Sequence, residues 1–229
     1  LPSPTIRAVL FDFGQVLSGP PDPAVWVRLH TILHADEPSF CAAYWAHRHD
    51  YDRGTLNAVT YWQAVARDLG QTLTTDQQQQ LIAADVALWT QPNQAMIDFA
   101  TGLQRRGIRT GILSNIGDAM EAGILAHFPF LQQFDHHTFS HRLKIAKPEA
   151  AIYAYAAAGL GTAPAKILFL DDREENILAA RAAGMIAIRY SSHAAFLKEL
   201  RALGLDDLLG LELLETGALP GEELPSELL

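Results

Sequence analysis

The stretch Ala8-Val9-Leu10-Phe11-Asp12-Phe13-Gly14-Gln15-Val16 decides the fold. Four consecutive apolar residues end on an acid, and a glycine follows. A short unbroken apolar run is what a strand buried on both faces needs, and the polar residue and glycine mark the turn that closes it. The same pattern returns further along the chain. Ile108 to Leu113 runs into Ser114 and Asn115, and Ile167 to Leu170 runs into Asp171 and Asp172. Phe139 and Ser140 end a weaker strand, and Ala187 to Tyr190 forms a last one. Helices fall between them: Ala95 to Leu103 before Gly107, Glu149 to Ala158 after Pro148, and Asn176 to Ala183 before Gly184. Strands alternating with helices predict an α/β fold, a Rossmann-like doubly wound parallel sheet. Ligands of such sheets bind beyond the carboxyl ends of the strands.

One block interrupts the alternation. Pro20, Pro21 and Pro23 break the chain, and the pattern up to Trp89 is helical with no convincing strand. Trp26, Leu29, Ile32 and Leu33 keep helical spacing, Asp22 and Asp36 are placed to cap, and Thr75 to Leu88 reads as a helix with Gln77 to Gln80 on its polar side. The expected organisation is a core of residues 1–17 and 91–205, an inserted helical cap of residues 18–90, and a leucine-rich acidic extension over residues 206–229 without chemistry of its own.

Composition bounds the function. Apolar residues make up 49% and charged residues 19% of 229 residues, enough to bury a large core. Seventeen basic residues stand against 26 acidic ones, for a net charge of -9 and no basic run. Such a chain is expected to bind neither nucleic acid nor anionic membrane, while a local basic site can still hold a small anion. Cys41 is the single cysteine, so no internal disulfide forms, and its SFCAAYW setting reads as a buried helix face. The first residues lack the charged and apolar regions of a signal peptide, and no apolar run approaches the roughly 18 residues of a membrane helix. The expectation is a soluble cytoplasmic protein.

The polar clusters that follow the strands carry the chemistry: Asp12, Ser114, Lys147 and the Asp171/Asp172 pair. Carboxylates gathered at one sheet edge are costly unless a cation compensates them. Oxygen ligands without cysteine or paired histidine suit a hard ion such as Mg²⁺. A lysine and a serine hydroxyl beside it complete a phosphate site, and an aspartate ending a buried strand is a candidate nucleophile.

The order VLFDFGQV, ILSN, KPEAAIY and ILFLDDREEN resembles the haloacid dehalogenase-like (HAD) superfamily. The likeness covers roughly residues 6–17 and 91–190. The helical block lies where that family inserts a helical cap, and YDRGTL (Tyr51 to Leu56) resembles a recurrent cap segment. The resemblance implies Asp12 as the nucleophile that takes the phosphoryl group, Asp172 as a Mg²⁺ ligand with Asp171 beside it as an outer or secondary ligand, and the Gly14 carbonyl as a backbone ligand. Asn176 matches a supporting position one helical turn on. Ser114 would hold a phosphate oxygen with Asn115 near it, and Lys147 would neutralise both phosphate and nucleophile. Lys144 stands where the family usually has glycine.

One departure matters. Phosphatases of the family usually carry a second aspartate two residues after the nucleophile, to protonate the leaving group and activate water. Here that residue is Gly14. The D-x-G-x-V pattern of Asp12 to Val16 resembles a branch that includes sugar-1-phosphate phosphatases, and Gln15 can orient water but not act as an acid. The 2-haloacid dehalogenases need no leaving-group acid, but their tyrosine–glycine pair is not matched by Gly14 and Gln15. Phosphonate hydrolases need a cap lysine, and no lysine precedes Lys144. The expected activity is a Mg²⁺-dependent phosphatase of a small phosphorylated metabolite such as a sugar phosphate. The alternatives are a 2-haloacid dehalogenase and a non-catalytic phosphate-binding relative. In the cap, Trp45, His47, His49, Tyr51 and Arg53 cluster; His47 and His49 point to different helix faces, the plain reading is a polar helix end, and a sharper one places Tyr51 or Arg53 over the substrate. His136, His137 and His141 are read as surface or core residues.

Overall fold

The computed structural model describes residues 5–210. Five parallel strands form one sheet in the order β3-β2-β1-β4-β5. They are β1 (Ala8–Phe11), β2 (Arg109–Ser114), β3 (His136–Phe139), β4 (Ile167–Asp171) and β5 (Ile186–Arg189). Every residue of β1 and β4 is buried, as the unbroken apolar runs require. Their side chains alternate between two cores. Val9, Phe11, Leu168 and Leu170 face one, whereas Ala8, Leu10 and Phe169 face the other.

Helices cover both faces. Helix α6 (Gln94–Arg105) and α11 (His193–Ala202) pack on the first, where Phe99 meets Phe11 and Phe196. Helices α9 (Ala150–Gly159) and α10 (Glu174–Ala182) cover the second with Ile152, Tyr153 and Ile177. Helix α7 (Asp118–His127) and the short α8 (Ser140–Leu143) flank β3. The lone cysteine, Cys41, is half-buried, so the fully buried helix face expected around it is only partly realised.

Between β1 and α6 lie α1 (Pro23–Ile32), α2 (Glu37–Ala46), α3 (Arg48–Arg53), α4 (Ala58–Asp68) and α5 (Thr75–Leu88). Asp22 and Asp36 cap α1 and α2 as expected. An aromatic cluster of Trp26, Phe40, Tyr44, Tyr61 and Trp62 fills the block. It meets the sheet side closely: a Cβ on Gly117 would lie 2.2 Å from the Tyr51 ring, and one on Gly54 would lie 2.4 Å from the His141 carbonyl oxygen. These glycines let α3 lie against the start of α7 and against α8. At the far end Leu205, Leu208 and Leu209 are buried, and Arg106 donates to the Asp207 carbonyl. The rest of the expected extension, residues 211–229, lies outside the described residues. No described helix is long and apolar enough to cross a membrane.

Candidate active site

Asp12 follows β1, and its N–H continues the ladder to the Leu170 carbonyl at 2.8 Å. The chain then turns tightly over Phe13–Leu17, closed by the Ser18 N–H on the Phe13 carbonyl at 2.8 Å, with Gln15 in the left-handed region at φ 57°. The turn holds the Asp12 carboxylate: Oδ1 accepts from the Phe13 N–H at 2.7 Å and from Lys147 Nζ at 2.9 Å. Among the described residues no donor reaches Asp12 Oδ2, which leaves that oxygen free.

Asp171 ends β4 and is fully buried. Its carboxylate accepts from Lys147 Nζ at 2.6 Å, from Asn176 Nδ2 at 2.9 and 3.0 Å, and from the Arg173 N–H at 2.9 Å. Both oxygens are therefore committed, and Asn176 is the group that fixes them. Asp172 is half-buried and accepts from Gln15 Nε2 at 2.9 Å. The glutamine next to the glycine thus orients a carboxylate rather than standing free.

Ser114 ends β2 at 4% exposure, and among the described residues its hydroxyl has no hydrogen-bond partner. Asn115 does something the sequence did not reveal. Its side chain accepts from the Lys147 N–H at 2.8 Å and donates to the Lys147 carbonyl at 2.9 Å, clamping that backbone. The clamp is needed because Lys147 does not directly follow a strand, as expected, but comes after α8 and a left-handed turn at Lys144 (φ 56°).

Asp12, Asp171 and Asp172 each place a carboxylate oxygen so that all three lie within 4.8 Å of one another. One ammonium faces them. Burial pushes the Asp12 carboxyl up to about 7, helped by Asp171 and Asp172 and opposed by Lys147. Burial, and then Asp171, also hold Asp172 above the usual carboxylate range. Burial works against the Lys147 ammonium, but Asp12 and Asp171 outweigh it and hold its pKa above the ordinary lysine value. Such a set of hard oxygen donors, short of positive charge, fits a divalent cation.

The pocket is lined on the sheet side by Asp12, Gly14, Gln15, Ser114, Lys147 and Asp172. Its other side comes from the helical block: Trp45, Arg48, Asp52 and Trp89. Tyr51 and Arg53 are not among the lining residues, so the sharper reading that places one of them over the substrate is not met. Tyr51 is 1% exposed and stacks on Tyr61 at 4.7 Å, and Arg53 reaches away to pair with Glu149. His47 binds Asp68 at 2.7 Å, and His141 pairs with Glu121.

The residues missed are Arg48, Asp52 and Asp85. Arg48 is 8% exposed; its Nε donates to Asp52 Oδ1 at 2.9 Å and its Nη1 to the Asp85 oxygens at 3.1 and 3.2 Å. The Tyr44 hydroxyl donates to Asp85 at 2.7 Å, and the guanidinium lies 5.4 Å from the Tyr44 and Tyr51 ring centres. A signal existed: Arg48 and Asp52 form an i,i+4 pair, and Asp85 is a lone acid on the apolar face of α5.

A model of haloacid dehalogenase-like hydrolases matches residues 6–184. The chain belongs to that family. Rat bifunctional epoxide hydrolase 2 is 33% identical over 112 residues, 47% of this chain and 20% of that protein. The matched segment is about a fifth of the length of these curated relatives. Among solved structures, a HAD family enzyme from Bacteroides thetaiotaomicron in complex with magnesium and inorganic phosphate superimposes with a TM-score of 0.68. It is 20% identical, with 82% of this chain and 96% of that one covered. The L-2-haloacid dehalogenase of Xanthobacter autotrophicus gives a TM-score of 0.64 at 19% identity, covering 89% of this chain and 88% of that one. At these identities the structural likenesses speak for the fold.

Proposed function

We propose that this HAD-like hydrolase is a Mg²⁺-dependent phosphatase of a small phosphorylated metabolite, such as a sugar phosphate, working through an aspartyl phosphate on Asp12. The observation that carries the reading is the charge set at the sheet edge. Three carboxylates meet there with one lysine, which pairs with only two of them, and burial together with the neighbouring acids raises the Asp12 carboxyl. The structural neighbour with magnesium and phosphate is in keeping with it.

In this reading Asp12 Oδ2 attacks phosphorus, because Oδ1 is held by the Phe13 N–H and by Lys147. Lys147 works against protonation of Asp12 and draws the phosphoryl oxygens in, lowering the repulsion between two anions. The Ser114 hydroxyl, unpartnered among the described residues, donates to a phosphoryl oxygen. Asn115 holds Lys147 in register, and Asn176 does the same for Asp171. Asp12, Asp172 and the Gly14 carbonyl would hold the ion, with Asp171 behind them. When bound, Mg²⁺ supplies charge neutralisation at the phosphoryl group. Helices α1–α5 act as the cap, presenting two tryptophans and the Arg48–Asp52 pair to the rest of the substrate. This arrangement of flat rings and polar groups suits a sugar.

Turnover of p-nitrophenyl phosphate tests the assignment. It is expected to need Mg²⁺, to stop with EDTA, and to fall by roughly 10⁴-fold or more in Asp12→Asn. Chloride release from 2-chloropropionate without metal, with no phosphate release, would instead establish dehalogenation.

A further inference from the structure

An oxygen leaving phosphorus needs a proton unless it is already a stable anion, and a positioned acid is worth roughly 10²–10⁴-fold. The sheet side of this pocket has no free acid to give one. Position 14 is glycine. Gln15 carries an amide and is bound to Asp172. Lys147 is held between Asp12 and Asp171. The remaining carboxylates, Asp171 and Asp172, belong to the charge set that awaits a cation.

The helical side does have one. Asp52 lines the same pocket with its side chain 18% exposed. Arg48 Nε holds Oδ1, and among the described residues nothing holds Oδ2. The Asp52 carbonyl accepts from the Ser140 hydroxyl, which ties this turn of α3 to the sheet side. We infer that Asp52 is the general acid and then the general base of the reaction, supplied from the helical block in place of the acid that Gly14 lacks. The inference rests on the phosphatase reading above.

The surroundings of Asp52 suit the task. Burial pushes its carboxyl up to about 6; Arg48 opposes that and Asp85 adds to it. Arg173, from the loop after β4, pulls weakly downward, and the Tyr51 and Tyr61 phenols beside it stay neutral. The group therefore holds its proton at mildly acidic pH and can release it near neutrality.

The steps balance. As Asp12 Oδ2 bonds to phosphorus, the bond from phosphorus to the leaving oxygen breaks, and that oxygen takes the proton from Asp52 Oδ2. Asp52, now a carboxylate, then accepts a proton from a water whose oxygen attacks the phosphorus. The bond to Asp12 breaks, inorganic phosphate leaves, and both side chains return to their starting states.

The test compares p-nitrophenyl phosphate with phenyl phosphate, two substrates of similar shape whose leaving groups differ in basicity. Asp52→Asn keeps an acceptor for Arg48 but cannot give a proton. It is expected to lower kcat/KM by about 10²-fold on phenyl phosphate, by less than about tenfold on the nitro compound, and to remove the pH limb near 6 with phenyl phosphate. A second variant guards against a folding defect. A Cβ at Gly14 meets no heavy atom within 4 Å and φ there is -61°, so Gly14→Asp can enter unstrained. Added to Asp52→Asn, it is expected to restore phenyl phosphate turnover. Equal losses on both substrates, or no loss on phenyl phosphate, would overturn the inference and leave the phosphatase reading standing. No turnover of either substrate by the wild-type chain would overturn both.

Discussion

On the sheet side of the pocket three carboxylates, Asp12, Asp171 and Asp172, gather with one ammonium that pairs with the first two, whereas on the helical side one guanidinium, that of Arg48, lies between the two carboxylates of Asp52 and Asp85. Both groups are largely withdrawn from water, and they solve the resulting problem differently. The helical cluster is nearly complete within itself: Arg48 neutralises Asp85, and a proton on Asp52 removes the remaining charge. The sheet cluster stays short of positive charge even with Lys147 in place. The first has the character of a fixed structural and proton-holding group, and the second that of an oxygen donor set that fits a divalent cation.

Breaking the self-sufficient cluster has the largest expected effect on stability. Arg48→Met leaves Asp85 buried at 2% exposure with only the Tyr44 hydroxyl. Removing one partner of a buried pair costs about 3–5 kcal/mol, measurable as a fall in the urea midpoint. Asp85→Asn in the same chain should recover much of the loss. An unchanged midpoint would mean that the helical cluster does not depend on Arg48 for its charge balance.

Filling the incomplete cluster comes next. Burial pushes the Asp12 carboxyl up to about 7 in the folded chain, against 3.8 for a free carboxyl. Between those values the folded chain binds a proton that the unfolded chain has lost. Without metal, stability therefore falls as pH rises from about 4 through about 7. Under the proposed function Mg²⁺ binds the ionised carboxylates, so its stabilisation, about 2.7 kcal/mol at a hundredfold excess over Kd, should be larger at pH 8 than at pH 5. Thermal melts with Mg²⁺ and with EDTA at both pH values check this, and an equal shift at both would count against the three carboxylates as the ligands.

The smallest effect concerns the turn that delivers Lys147. Lys144 has a left-handed backbone at φ 56°, ψ 28° after α8, a geometry that costs a side-chain-bearing residue about 1 kcal/mol. Lys144→Gly is expected to raise stability by at most about 1 kcal/mol and to leave p-nitrophenyl phosphate turnover unchanged. Lower stability would show that the lysine side chain has a part beyond this turn.

The sheet half of the molecule was largely legible in the sequence because its signals are local. A buried strand that ends on a polar residue places that residue at the sheet edge whatever the loops do, and so Asp12, Ser114, Asp171 and Asp172 were found together. Lys147 was legible as a residue type but not in its placement, since α8 and the Asn115 clamp come between strand and lysine. The helical half was legible as helices, down to the Asp22 and Asp36 caps and the bounds of α5, but not as a surface. Which side of the six-residue α3 faces the pocket depends on packing: Tyr51 turns toward Tyr61 and Gly117, Arg53 toward Glu149, and Asp52 is left on the pocket wall beside Arg48. Asp85, far along the chain, completes that group only through the fold.

The most direct measurement is a chemical trap at position 12. The chain is mixed with p-nitrophenyl phosphate and Mg²⁺, quenched during turnover, and reduced with borohydride, which converts an aspartyl phosphate to homoserine. Peptide mass spectrometry should find homoserine in place of Asp12, only with Mg²⁺ present. Steady turnover with position 12 unmodified throughout would contradict a nucleophilic Asp12.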